Sequence, residues 1–199
     1  MAVNFINRTQ KVSLSQVDLK EFFEFYRDFI CPYSYNYFLE TSTNNEIEIE
    51  IKFHEEHFSH LLGLHKFKRV SLYKKSQEIN NDILNNKLIF KNLLSLEPNK
   101  LNDELRDRMT YFPVLKTLLE NTDTALQYDL NVIWNSKIEF SFLLKTNKIS
   151  ILVYLAVKEI KQNKKICVPV SLLVDRNDRF SKMKLKELKI KNIKITKRG

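Results

Sequence analysis

Hydrophobic and polar residues follow two different periods along this chain, a helical one first and a strand-like one towards the carboxyl terminus. Residues 13–30 place apolar side chains at every third or fourth position after a serine, which predicts an amphipathic helix that Pro32 ends. Residues 33–40 and 46–53 have the pattern of strands, and the polar segment TSTNN between them predicts a hairpin. In the second strand, EIEIEIKF, we expect the isoleucines to face the core and the glutamates to face solvent.

The middle of the chain, residues 54–121, keeps helical spacing and predicts three to five helices. One of them runs from about Asp103 to Glu120, where Pro113 is expected to kink or split it. Near residue 131 the pattern changes to four short strand-like runs joined by polar turns, which predicts an antiparallel meander. The four runs are residues 137–145, 149–158, 165–174 and 189–197.

The order of these elements predicts an α+β fold with an amino-terminal helix and β-hairpin, a helical middle and a carboxy-terminal antiparallel β-meander. We expect the helices to pack on one face of the sheet, with the hairpin beside it. No linker, repeat or low-complexity insert separates the parts, so residues 1–199 are predicted to form a single domain. Its hairpin and helical part spans residues 13–121, and its sheet part spans residues 131–197.

Composition excludes several classes of protein. The chain has 199 residues, of which 43% are hydrophobic, and this is enough for a core without disulfide staples. Its only cysteines, Cys31 and Cys167, are far apart and lack zinc-ligand spacing, which favours a reducing compartment over a disulfide scaffold. Its only glycines, Gly63 and Gly199, cannot form the glycine-rich loops that cradle nucleotides. No apolar run matches a membrane span or signal peptide, so we expect a cytoplasmic protein. We also expect no cofactor.

Positive charge is concentrated at the carboxyl end. From Lys158 to Gly199 there are 14 Lys and Arg residues against 4 Asp and Glu residues, whereas the whole chain has a net charge of +9. Such clustering predicts a polyanionic partner, with RNA the first one to consider, although a solvated surface in a Lys- and Asn-rich chain is the alternative. The candidate phosphate contacts are Lys184, Lys186, Lys189 and Lys191.

All four histidines fall within the twelve-residue window HEEHFSHLLGLH. A metal site could use His57 with His54 or His60, since residues three apart share a helix face. The run is not HExxH, however, and it has no Cys or Asp beside it, so no metal is predicted. For His54 and His57, which adjoin two glutamates at a helix start, we favour a structural role.

Acid-base chemistry is the third interpretation, because the pKa of an imidazole lies near neutrality. His60 and His65 are its best candidates, since they flank Gly63 and precede Lys66. Two titratable rings and a cation around one bend could cleave a phosphodiester: a base takes the ribose 2′-hydroxyl proton, an acid protonates the leaving oxygen, and the cation offsets phosphorane charge.

The segment from Tyr33 to Phe67, and above all its motif HLLGLHK, resembles the phage-associated Barnase, EndoU, colicin and RelE-like nucleases, in particular the fourth group of the PBECR family. Weaker matches follow in the order in which that family places its helix and strands. They are residues 107–121, 141–146, 153–158 and 168–180.

This resemblance implies a BECR or RelE-like fold and a metal-independent endoribonuclease, toxin-like and of phage or mobile-element origin. Its partners would be RNA and an antitoxin or host protein, without a membrane. The motif carries over to His60, His65 and Lys66 as catalytic residues, and the strand positions Lys145 and Ser171 fall where polar site residues are expected.

A catalytically inactive member that binds nucleic acid or protein, such as a phage-encoded inhibitor, is the alternative. The strand SFLLKT lacks the tyrosines of the family pattern, and FSKMKLKEL lacks its Tyr and Gln. Lys145 could then simply flank a hairpin turn, and Ser171 could be a strand hydroxyl with a local hydrogen bond. Exposed histidines on the side of the basic sheet would favour the enzyme, whereas buried ones pointing away would favour the binder.

Overall fold

A computed structural model describes most of the chain: residues 5–41, 45–72, 75–128, 139–161, 166–176, 180, 183 and 185–199. Seven helices lie in the first two thirds of the chain, among the described residues. They are α1 (Leu19–Phe29), α2 (Phe58–Leu62), α3 (Lys68–Ser71), α4 (Ser76–Leu84), α5 (Phe90–Leu96), α6 (Asp103–Tyr111) and α7 (Leu115–Glu120). The described strands are β1 (Tyr33–Glu40), β2 (Glu46–Lys52), β3 (Thr124–Gln127), β4 (Phe142–Lys145), β5 (Val153–Lys161), β6 (Ile166–Val174) and β7 (Lys186–Lys197).

The first helix begins later than its hydrophobic pattern predicts. Ser13 instead precedes a single 3₁₀ turn, Leu14–Gln16, and α1 starts only after Asp18. The Asp18 side chain accepts hydrogen bonds from the backbone N–H groups of Lys20 and Glu21, at 2.9 and 3.0 Å. This cap satisfies two of the four N–H groups that a helix start leaves unpaired, so the boundary follows the cap and not the apolar spacing.

Pro113 splits the long helix that the sequence predicts at residues 103–120. The described chain runs as α6, then a 3₁₀ turn at Phe112–Val114, then α7. Proline cannot donate the helical hydrogen bond, and its ring clashes with the preceding turn. The helix before this break, α6, contacts α2 and β6.

The strands close into a barrel in the order β1-β2-β6-β5-β4-β3-β7. β1 pairs antiparallel with β2, and β4, β5 and β6 are consecutive antiparallel neighbours. Two features correct the meander prediction. β7 does not pair with β6 but lies between β1 and β3, antiparallel to both. β2 and β6 meet in a short parallel contact, at Glu50 with Ile166 and Ile51 with Cys167.

β3 is a strand that the sequence analysis did not predict. It has only four residues, Thr124–Gln127, and it lies between the predicted helical part and the predicted sheet part. It is ordered by pairing with β4 on one side and β7 on the other. A strand this short is below the length at which alternation of apolar and polar residues is informative, so only its two neighbours define it.

One main core joins the helices to one side of the strands. Phe22 of α1 and Leu105 of α6 pack in the same cluster as Leu144, Leu155 and Leu172 of the sheet. The main core also contains Ile49 and Ile51 of EIEIEIKF, as the alternation predicts.

The other side of β4, β5 and β6 carries a second, smaller cluster, here called the outer cluster. It includes Leu143, Tyr154, Ala156 and Leu173, which alternate with core residues along their strands, and Phe180 packs against them. Because successive side chains of a strand point to opposite faces, the outer cluster lies on the sheet face away from α2 and α6.

Candidate active site

A sharp bend at Gly63 brings together the two histidines of the motif. α2 ends at Gly63, which has φ of +72°, and a 3₁₀ turn, Leu64–Lys66, follows at once. The bend folds His60 and His65 side by side, with ring centroids 5.0 Å apart and planes tilted by 35°. Both histidines are exposed, so a ligand can reach them.

α6 supplies two charged residues to the same place. Glu104 contacts Lys66, with 3.3 Å between Lys66 Nζ and Glu104 Oε2, and its other carboxylate oxygen accepts a hydrogen bond from Arg108 Nη2. We call the group of His60, His65, Lys66, Glu104 and Arg108 the histidine cluster. It is formed by a turn and a helix that are about forty residues apart in the sequence.

Sequence reasoning missed Glu104 and Arg108. Their spacing of four residues places them on one face of a helix, and that face meets the histidine motif only through tertiary packing. The available signal was a Glu and an Arg one turn apart on a mostly polar helix whose apolar positions are Leu105, Met109 and Tyr111. Nothing in that pattern points towards residues 60–66.

Electrostatics fix the charge state of two members of the histidine cluster. Desolvation lowers the pKa of His65 to about 4, and the positive charges of His60, Arg108 and Lys66 act in the same direction. For Glu104, desolvation alone would raise the carboxyl pKa, but the attraction of Arg108 and Lys66 outweighs it and the pKa falls. At neutral pH His65 is therefore uncharged, whereas Glu104 is ionised.

Arg108 is the buried member of the histidine cluster. Only 4% of its side chain is exposed, and its Nε has no hydrogen-bond partner among the described residues. A β-carbon at Gly63 would lie 3.6 Å from Arg108 Nη1 and 2.7 Å from Leu105 Cδ1. Glycine at this position thus lets α6 approach the bend closely enough to hold the guanidinium beside His65.

The other two histidines form a local structural unit, as the sequence analysis favours. His57 Nδ1 accepts a hydrogen bond from the backbone N–H of His54 at 3.2 Å, which closes the turn before α2. Desolvation, as the largest cause, lowers the pKa of His57 to about 4. His54 is exposed and contacts His57 edge to face, with 5.5 Å between the ring centroids.

Lys145 and Ser171 are not brought to the histidine cluster. Ser171 lies opposite Ala156 and alternates with Leu172 of the main core, so its hydroxyl points to the outer face of the sheet. There it is buried, and its Oγ has no hydrogen-bond partner among the described residues. Lys145 follows Leu144 of the main core and therefore also belongs to the outer face.

Lys189 of β7 lies on the outer face beside Lys145. Lys189 pairs with Thr124, and Thr124 pairs with Lys145. These three residues form one row across β7, β3 and β4, which we call the lysine row. Lys189 is exposed, and Lys191 forms an ion pair of 2.8 Å with Glu40. Lys186 is also exposed, but it alternates with Glu187 and shares the face of Leu188 of the main core, so it points away from the outer face. The fourth predicted phosphate contact, Lys184, lies outside the described residues, as does Trp134.

Acidic residues of β2 share this outer face. Glu50 lies opposite Asn36, which in turn lies opposite Lys194. The glutamates of β2 and the lysines of β7 are thus separated by a single strand, β1, which corresponds to about 10 Å. The basic surface therefore extends from β7 towards β3 and β4, away from the glutamates.

No group of three or more His, Cys, Asp or Glu side chains among the described residues is placed to hold a metal ion. None of the described helices is both long and apolar enough to cross a membrane. Cys31 and Cys167 are both buried and form no disulfide.

Comparison with known proteins places the chain in a family. No curated protein and no solved structure matches it significantly. The family model described as phage-Barnase-EndoU-ColicinE5/D-RelE like nuclease 4 matches residues 18–197, which include the histidine cluster and every described strand. The chain therefore belongs to the phage-Barnase-EndoU-ColicinE5/D-RelE like nuclease 4 family.

Proposed function

We propose that this protein is an endoribonuclease that needs no metal ion and cleaves RNA at the histidine cluster. The observation that carries the proposal is the pair of exposed imidazole rings 5.0 Å apart, flanked by Lys66 and Arg108. Membership of a nuclease family supports a nucleic-acid substrate. An acid, a base and fixed positive charge are the components that phosphodiester cleavage requires.

His65 serves as the base in this proposal, because its lowered pKa keeps the ring neutral at physiological pH. It removes the proton from the ribose 2′-hydroxyl, whose oxygen then forms a bond to phosphorus. The bond between phosphorus and the 5′ oxygen breaks, and His60 gives its proton to that leaving oxygen. The products are a 2′,3′-cyclic phosphate and a 5′-hydroxyl, so DNA, which lacks the nucleophile, is not cleaved.

The cations hold the phosphate during this reaction. Lys66 and Arg108 offset the charge that develops on the phosphorane oxygens, and the burial of Arg108 strengthens its effect. Lys145, proposed from the sequence as further support, lies on the outer face and would contact the RNA away from the histidines. Ser171, proposed with it, is buried on that face and would not touch the RNA. Lys189 and Lys191 would bind flanking phosphates there, whereas Lys186 points to the other face of the sheet.

A binding-only member of the family is the second candidate, favoured by a specific observation. The row of Lys145, Thr124 and Lys189 lies on the outer face, whereas the histidine cluster lies where α2 and α6 meet. RNA held by the lysine row would have to wrap around the sheet to reach His60 and His65. In this second candidate the lysine row binds nucleic acid or protein and the histidines do no chemistry.

Cleavage of purified total RNA separates the two candidates. The full chain is incubated with RNA and with single-stranded DNA, with and without EDTA. The enzyme is expected to cut RNA in both conditions and to leave DNA intact, with cyclic phosphate ends on the products. His60→Ala and His65→Ala should each lower the rate by about a hundredfold or more, the usual scale for a lost acid or base.

His54→Ala is the matched control, because His54 is an exposed histidine of the same window that lies outside the histidine cluster. It should retain the full rate. Cleavage that EDTA abolishes, cleavage of DNA, or full activity in both His60→Ala and His65→Ala would contradict the mechanism. Saturable RNA binding without any cleavage would establish the binding-only candidate instead.

A toxin role in a bacterial cytoplasm, with a cognate antitoxin or a host protein as partner, is part of the same proposal. Induced expression of the wild-type chain should arrest growth and shorten cellular RNA. The His60→Ala/His65→Ala double variant should do neither at the same protein level. Equal growth arrest by both chains would separate toxicity from the histidine cluster.

A further inference from the structure

We propose that Arg108, Lys66 and His65 form a seat for one phosphate group, and that the Glu104 carboxylate occupies this seat while no ligand is bound. The inference rests on the proposed function for its choice of ligand and deepens it by naming the residue that the substrate displaces. Sequence reasoning assigned no role to Glu104 or Arg108.

The donors of Arg108 are the first argument. A guanidinium has five N–H groups, and burial away from water requires acceptors for them. Arg108 is 4% exposed, its Nη2 donates to Glu104, and its Nε has no partner among the described residues. A buried donor without an acceptor carries a desolvation penalty, so this side chain is prepared for an additional anionic acceptor.

The position of the Glu104 carboxylate is the second argument. Its two oxygens contact two different cations, Lys66 and Arg108, as two oxygens of a phosphate would. Glu104 is nonetheless 47% exposed, so its carboxylate can turn into water when a stronger anion arrives. An incoming phosphate takes over the contacts with both cations, so the buried guanidinium keeps an anionic partner throughout the exchange.

The preceding residue shows what an ordinary surface carboxylate does on the same helix. Asp103 is 79% exposed and pairs only with Arg106, one turn along, at 3.2 Å. It has no contact with Gly63, His65 or Lys66 among the described residues. Asp103→Asn therefore removes the same charge from α6 as Glu104→Gln but leaves the seat unchanged.

Selective labelling with ¹⁵N-glycine reports directly on the seat, because the chain has only two glycines. Gly63 lies against the Arg108 side chain, whereas Gly199 is the last residue, with no heavy atom within 4 Å of where its β-carbon would be. Inorganic phosphate is titrated into the wild type, and the amide signals of both glycines are followed. Phosphate should move the Gly63 signal saturably and leave the Gly199 signal in place.

The variants decide what Glu104 does. Glu104→Gln should bind phosphate roughly tenfold more tightly than the wild type, the scale of one lost competing charge-assisted contact. Asp103→Asn should match the wild type, and Lys66→Gln should bind more weakly. Equal or weaker binding by Glu104→Gln would overturn the proposal and leave Glu104 as a residue that positions the two cations.

A Gly63 signal that phosphate does not move, in either the wild type or Glu104→Gln, would also overturn the seat. These results are independent of the cleavage assay. Loss of cleavage in His60→Ala without phosphate binding would leave the proposed function standing and remove only the seat. Phosphate binding in a chain that cleaves no RNA would do the reverse.

Discussion

At the scale of single residues, packing decides which protonation state His65 has. Desolvation and the neighbouring positive charges lower its pKa to about 4, from an ordinary value of 6.5. If His65 is the base, kcat/KM should stay high down to about pH 5 and fall as the pH approaches 4, because that ratio reports the free enzyme. The measurement is kcat/KM for a short RNA between pH 4 and pH 8.

Lys66→Gln provides the internal check on this pH profile. It removes one of the positive charges that disfavour protonated His65, so the acid limb should move upward in pH while the maximal rate falls. An acid limb near pH 6.5 in both the wild type and Lys66→Gln would assign the base to another group.

Gly63 is the second residue whose role follows from its conformation. Its φ of +72° is unfavourable for residues with a β-carbon, and a β-carbon there would lie 2.7 Å from Leu105 Cδ1. Gly63→Ala is expected to lower the free energy of unfolding by about 1–3 kcal/mol through strain and steric displacement of Leu105. Urea unfolding measures the loss, and Gly199→Ala, at the open carboxyl terminus, should show none.

At the scale of elements, β7 brings Lys189 next to Lys145 of β4 by pairing with β3. Neutralising Lys145 and Lys189 together should weaken RNA binding regardless of sequence and lower the slope of log K against log salt by about 1.4 to 1.8, since each phosphate contact contributes 0.7 to 0.9. Lys191→Gln should have a smaller effect, because Lys191 already pairs with Glu40. Filter binding at several salt concentrations measures both quantities.

Lys91→Gln on α5 is the control for this series, since it removes an exposed charge from the helical part of the chain. Its affinity and salt slope should equal those of the wild type. An equal loss in Lys91→Gln would mean that net charge, and not the lysine row, attracts the nucleic acid.

At the scale of the whole molecule, a histidine that is neutral when folded makes stability depend on pH. The pKa of His57 falls from 6.5 to about 4 on folding, so the unfolded chain binds the extra proton. This contribution to stability is fully present above pH 6.5 and is lost as the pH falls towards 4, by up to about 3 kcal/mol. His65 acts in the same direction.

Urea unfolding between pH 4 and pH 7 tests this dependence. The free energy of unfolding of His57→Gln should fall less steeply between pH 6.5 and pH 4 than that of the wild type. His54→Gln, at the exposed neighbour, should show the same pH dependence as the wild type. Identical acid limbs in the wild type and His57→Gln would show that other groups control acid unfolding.

Local features of the fold could be predicted from the sequence where the signal was long or chemically specific. EIEIEIKF fixed which side of β2 is buried, because a one-residue slip would reverse every side chain. Pro113 predicted the break between α6 and α7 for a covalent reason. The motif HLLGLHK identified the bend that carries His60, His65 and Lys66, since Gly63 can adopt positive φ.

Only the tertiary structure decided which distant segments meet. Strand alternation specifies faces but not partners, so β7 could equally have joined β6, and the parallel contact of β2 with β6 has no local signature. For the same reason the sequence did not identify Glu104 and Arg108 as members of the histidine cluster. Glu104 contacts Lys66 and Arg108 only because α6 packs on α2. The sequence likewise did not show that Lys145 and Ser171 lie apart from the histidines. Alternation puts these two residues on one face of their strands, but only the packing of the helices decides which face meets the histidine cluster.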